Sequence, residues 1–252
     1  MISEMFAHGF IQRAFIGGVL VSLCAALLGV SLVLKRYSMI GDGLSHVSFG
    51  ALSIAIAFGF APIKFSIPIV IIAAFFLLRL AENGKMKSDA AIAMVSASSL
   101  AIGVIVTSLT TGLSTDVCSY MFGSILAMSK DDVIFSVALS VVVLIMFGFC
   151  YHRIFAVTFD ESFSKATGVK VGMYNTLISI FTAVTVVLGI KMMGAMLISS
   201  LIIFPALTSM RVFKSFLSVT ICSAILAVIN FTAGFALLIR FFNSCRSKRC
   251  CC

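Results

Sequence analysis

Eight apolar runs, each long enough to cross a lipid bilayer as a helix, follow one another along this chain at about 9–34, 43–60, 63–80, 90–109, 132–150, 173–190, 192–210 and 216–240. About 20 apolar residues in α-helix span the roughly 30 Å hydrocarbon core of a membrane. Eight such runs nearly exhaust 252 residues, which leaves no room for an extramembrane domain. Only 11% of the residues are charged and 61% are hydrophobic, whereas a soluble domain carries roughly 25% charged residues to solvate its exterior. A soluble enzyme is therefore excluded. The expected fold is all-α: a polytopic integral membrane protein with about eight transmembrane helices, forming one domain over residues 1–244. Residues 245–252 form a basic, cysteine-rich tail whose composition predicts disorder. The first run is too long for a signal-peptide core and is not followed by a small-residue cleavage site, so it reads as a retained helix.

The formal net charge is +9, but the basic residues lie in short connections between apolar runs, and they report orientation rather than nucleic-acid binding. If connections alternate sides, Lys35, Arg36, Arg79, Lys85, Lys87, Arg153, Lys165, Lys170, Arg211 and Lys214 share one side, against Arg13, Lys64, Lys130 and Lys191 on the other. The first set is cytoplasmic by the positive-inside rule, which puts the N-terminus outside. Eight spans would also put the basic tail outside, against the rule, so either one run is re-entrant or the tail is an exception. Eight cysteines show no Cys-x-x-Cys spacing and imply neither a disulfide framework nor a structural zinc site. The only Gly-Lys pair, Gly84-Lys85, is followed by Met86, so the chain has no P-loop with which to bind ATP.

Two connections have content. Tyr151 to Gly172 is too polar to span, and it carries helix signals: Thr158 and Glu161 form a Thr-x-x-Glu capping box, and Gly168 is placed to stop the helix. A short helix lying in a cytoplasmic loop is expected. On the other side, Thr110 to Asp132 holds Asp116, Asp131 and Asp132 around a half-apolar middle, as an interfacial or partly re-entrant segment would. Pro62 and Pro68 bracket the start of the third run, and Pro205 falls inside the seventh, where a kink is expected.

Candidate chemistry concentrates in Gly41-Asp42-Gly43-Leu44-Ser45-His46 at the start of the second run. Residues i and i+4 of a helix lie about 6 Å apart on one face. A carboxylate and an imidazole so placed make an oxygen-plus-nitrogen set suited to Zn²⁺ or Mn²⁺. The competing reading makes Asp42 the N-cap of its helix and His46 its packed neighbour. Two ligands do not complete a tetrahedral site, but a second copy across a two-fold axis would supply two more. His8 and His152 read as solvated or interfacial, and the methionines as packing.

The run Gly29-Val30-Ser31-Leu32-Val33-Leu34-Lys35-Arg36-Tyr37-Ser38-Met39-Ile40 and on through Asp42 to His46 resembles the first block of the permeases of bacterial ABC importers for zinc, manganese or iron, the zinc-uptake group in particular. Tyr120 to Leu126, Ala166 to Val169, and Met193 to Ala206 resemble later stretches of that family in the same order. The resemblance implies a homodimeric permease, multi-pass in the bacterial cytoplasmic (inner) membrane and not itself an enzyme. It would carry two separate cytoplasmic ATP-binding subunits and receive its cargo from an extracytoplasmic metal-binding protein. It implies no permanently bound cofactor, with Zn²⁺, or Mn²⁺ or Fe²⁺, as the transported ion. It assigns Asp42 and His46 to the metal path, and Phe159, Asp160, Glu161, Phe163, Lys165 and Gly168 to the helix that docks on the ATPase. The family's Asp-Ala-Leu-Ser-His reads Asp-Gly-Leu-Ser-His here, and Gly43 should loosen the helix start by about 0.5 to 1 kcal/mol. A gradient-driven secondary transporter would show inverted repeats and several intramembrane carboxylates. An intramembrane metalloenzyme would need a motif such as His-Glu-x-x-His. Neither pattern is present.

Overall fold

The computed structural model of the chain describes residues 9–35, 37, 39–60, 62–82, 88–109 and 130–249. They form nine helices and no strand: α1 Gly9–Leu34, α2 Ile40–Ala57, α3 Pro62–Glu82, α4 Ser88–Leu109, α5 Lys130–Phe159, α6 Glu161–Ala166, α7 Val171–Met193, α8 Ala195–Val212 and α9 Phe216–Arg249. Seven of these are long and apolar enough to cross a membrane, and α3 adds a shorter apolar stretch over Phe65–Leu77. Six of the eight expected apolar runs lie within one helix; 43–60 overruns the end of α2 at Ala57, and 192–210 straddles the break between α7 and α8. Three expectations, for His8, for the segment 110–129 and for Cys250 to Cys252, fall outside the described residues.

Several boundaries differ from the reading of the sequence, each for a local reason. Tyr151 to Phe159 belongs to α5, whose 30 residues rise about 45 Å. The connection is correspondingly shorter, and its helix α6 has six residues. Asp160, not Thr158, is the N-cap of α6: its backbone is extended and its carboxylate accepts from Phe163 N–H at 2.9 Å. Thr158 is still inside α5, where a hydroxyl cannot cap the next helix. Gly168 does end α6, at φ 80°, with Gly168 N–H donating to Lys165 O and Val169 N–H to Ser164 O, the paired bonds of a Schellman stop. The boundary between α7 and α8 is one residue, Gly194, with φ 89° and ψ 159°, a conformation open essentially to glycine alone. Lys191 therefore lies in the last turn of α7 and not in a loop. Pro205 sits inside an unbroken α8, although the carbonyl of Leu201 loses its usual donor. At the far end α9 carries its turns through Cys245 to Arg249, the segment whose composition predicts disorder.

Helices α1, α2 and α7 make the interior, and α4, α5 and α9 the outer wall. Most of α7 is covered by neighbours, 78% of its apolar span against 22% for α4. Lipid tails are as apolar as leucine, so burial alone does not drive these helices together; close backbone approach and packing do. Gly29 on α1 shows how close: a Cβ there would lie 2.1 Å from the carbonyl oxygen of Ile202 on α8. Leu28, Leu32, Leu44, Leu188, Ile190 and Ile198 fill the space around this crossing and are fully buried. Several buried hydroxyls bond back to their own helices, as Thr182 does to Ile178 O at 2.7 Å and Ser209 to Pro205 O at 2.8 Å.

Candidate metal pathway and docking helix

Helix α2 begins at Ile40 after a tight strap that follows α1. The strap is closed by Tyr37 N–H donating to Leu32 O at 2.9 Å, and Ile40 N–H to Tyr37 O at 3.1 Å. The N-cap position is taken by Met39, with no side-chain capping bond, which overturns the reading of Asp42 as the cap. Asp42 sits one turn further in. Its Oδ2 lies 3.7 Å from His46 Nε2, as the i, i+4 spacing dictates. That separation exceeds a hydrogen bond, so the carboxylate and the imidazole are not bonded to each other. Two donors bound about 2.1 Å from one ion at a tetrahedral angle would stand about 3.4 Å apart, close to what the pair already offers.

The pair opens into a small pocket of about 70 Å³ whose other walls are Phe49, Leu100, Ile190, Ala195 and Met196. His46 is 23% exposed and Asp42 46%. The pocket thus gathers the start of α2, the end of α7 and the first turn of α8 around the Gly194 break. Among the described residues, no group of three or more His, Cys, Asp or Glu is placed to hold a metal. His152 lies apart, edge-on to Tyr151 with ring centroids 5.6 Å apart. Sequence reasoning found the two polar members of the pocket. It missed Ile190 and the Gly194 break, whose only signal was one glycine between two long apolar runs.

The residues assigned to the docking helix lie together elsewhere. Phe159 and Phe163 are 74% and 64% exposed, an unusual presentation of two aromatic rings beside a six-residue helix. Behind them is a polar cleft of about 510 Å³ lined by Phe159, Glu161 and Lys165 together with Lys35, Tyr37 and Asn175. Lys35 Nζ donates to Glu161 Oε1 at 2.8 Å and to Asn175 Oδ1, and Asn175 Nδ2 donates to the same Glu161 oxygen at 3.2 Å. Burial pushes the Glu161 carboxyl upward, but the hydrogen bond and charge of Lys35, the Asn175 amide and the Lys165 charge outweigh it. The net position is below the ordinary carboxylate value. In the sequence Lys35 counted only toward orientation, and Asn175 was an unremarked polar residue in an apolar run.

Seven helices long and apolar enough to cross a membrane, among the described residues, define a class: a multi-pass membrane protein. Residues 7–245 match the ABC 3 transport family, and the chain belongs to that family. It is similar to the high-affinity zinc uptake system membrane protein ZnuB of Buchnera aphidicola, 31% identical over 91% of this chain and 88% of the relative. It is similar also to the manganese import system permease protein ScaB of Streptococcus gordonii, 28% identical over 86% of this chain and 78% of the relative. Among solved structures, PsaBC from Streptococcus pneumoniae in complex with Fab matches with a TM-score of 0.78 and 27% identity, over 91% of this chain and 84% of that one.

Proposed function

We propose that this chain is the permease subunit of an importer for divalent transition metal, zinc first, working as a homodimer. ATP is hydrolysed by separate cytoplasmic subunits, and cargo arrives from an extracytoplasmic metal-binding protein. The observation that carries the metal reading is the Asp42–His46 pair, with 3.7 Å between facing donors and neither donor spent on capping. A second copy of the pair would complete a four-donor set across a two-fold axis. Imidazole favours Zn²⁺, while the carboxylate suits Mn²⁺ equally well. Manganese is the second reading, supported by the manganese name of one relative.

Direction requires work from outside the chain. A bound ligand shifts an equilibrium between inward-open and outward-open states only by its differential affinity for them. With no P-loop of its own, the chain would take that work through α6, where exposed Phe159 and Phe163 offer an apolar surface to an ATPase subunit. The test is uptake of zinc, manganese and iron by proteoliposomes holding the chain with and without its ATPase subunits. Concentrative zinc uptake only with ATPase and ATP is expected, and His46→Ala should abolish it while insertion and ATPase association persist. Accumulation by the permease alone under a proton or sodium gradient would replace this reading with a secondary transporter. Changing Phe159 and Phe163 together to Asp should release the ATPase; unchanged binding would remove α6 from the interface.

A further inference from the structure

Lys35 is a lysine with a side chain only 7% exposed, and it spends its charge on two other elements at once. A buried ammonium needs partners, but one carboxylate would satisfy that need. Here Glu161 belongs to α6, Asn175 to α7, and Lys35 itself follows the last residue of α1. Helix α6 buries one side chain, Ser164, so its hold on the rest of the molecule depends heavily on this node.

Two paths lead from the node to the same pocket. One follows the chain from Lys35 through the strap to α2, where Ile40 N–H bonds to Tyr37 O and Gly43 N–H to Met39 O; Asp42 lies in that turn. The other follows α7 from Asn175 to Ile190, about 22 Å of helix at 1.5 Å per residue, and Ile190 lines the Asp42–His46 pocket. A displacement of α6 would therefore be passed toward the turn that carries Asp42 and toward the opposite wall of the pocket. We propose that Lys35 is a positioning residue for transport: the joint that passes movement of the ATPase-docking helix to the Asp42–His46 pair. The inference rests on the permease reading above and adds the residue through which its two sites communicate. A physical claim of coupling needs a demonstrated response at both ends and not proximity alone, which fixes the form of the test.

The chain, assembled with its ATPase subunits in proteoliposomes, is measured for zinc uptake and ATP hydrolysis together, and by hydrogen exchange with and without a non-hydrolysable ATP analogue. In the wild-type chain the analogue should change exchange in both 161–169 and 39–46. In Lys35→Gln the change should be confined to 161–169, with uptake per ATP hydrolysed down about tenfold, within the range of known coupling positions. Lys35→Glu combined with Glu161→Lys should recover at least about a third of the wild-type ratio, because paired residues in contact are non-additive. If Lys35→Gln does not accumulate in the membrane, Glu161→Gln takes its place with the same expectations. A wild-type uptake ratio in the single variant, or a response at 39–46 that persists without the ion pair, would overturn the inference alone. Failure of the wild-type chain to bind an ATPase subunit would overturn the permease reading as well.

Discussion

The two ends of α7 meet the two polar clusters of this protein, and the clusters are built in opposite ways. Near Asn175 three side chains hold one another: Lys35, Glu161 and Asn175 exchange three hydrogen bonds, and the lysine is almost fully enclosed. Near Ile190, Asp42 and His46 face each other at a distance too long for a hydrogen bond, partly open to a small pocket. A joint that must hold its geometry uses up its donors and acceptors. A site through which an ion passes has to leave them available, since binding must be reversible.

That contrast is most sharply exposed by removing one group from each end. Asp42→Asn, like His46→Ala, should cut metal uptake by at least about 100-fold, the upper range for losing a metal-site partner. Its thermal unfolding in detergent should stay within about 0.5 kcal/mol of wild type. A large stability loss would mean that the pair is structural, and the comparison would break. Gly29→Val attacks the crossing that supports both ends, where backbone cannot retreat from a new Cβ. It should cost about 3 kcal/mol and lower uptake and ATPase binding together, unlike a change at either cluster.

Glu161→Gln should cost about 1 kcal/mol, less than a buried pair would, because the carboxylate is 39% exposed. Its pH dependence sharpens the assignment. The folded-state value of Glu161 lies below the ordinary 4.5, so its contribution is present above pH 4.5 and is lost as pH falls through the depressed value. Protection of the α6 amides, their exchange corrected for its intrinsic pH dependence, should therefore fall on acidification below 4.5 in the wild-type chain, and much less in Glu161→Gln. The smallest effect concerns Gly43. A Cβ there would lie 2.5 Å from Cγ2 of Ile92, the methyl on its branched β-carbon, which can move only with the side chain as a whole. Gly43→Ala should thus cost about 1 kcal/mol, and the same change should cost less in an Ile92→Ala background, which lacks that methyl. Greater stability of Gly43→Ala alone would mean that the residue only loosens the helix, as the sequence suggests.

The sequence by itself determined the class of molecule. Apolar runs of spanning length leave a chain no alternative to membrane helices, because backbone polar groups in hydrocarbon must be satisfied within the segment. It determined the Asp42–His46 pair too, since four residues of helix bring two side chains together without help from the rest of the fold. Gly168 as a helix stop is local in the same sense. What lay beyond it were relations between distant segments. Thr158 lost the cap to Asp160 because α5 ran on past the polar signal. Lys35, Glu161 and Asn175 are separated by 126 and 14 residues and meet only when α1, α6 and α7 are packed. The pocket wall at Ile190 and Met196 exists only because Gly194 turns the chain between two helices. Periodicity and spacing report what one helix does with its own side chains; which helices share a site is decided by packing, and packing has no signature in a single stretch of sequence.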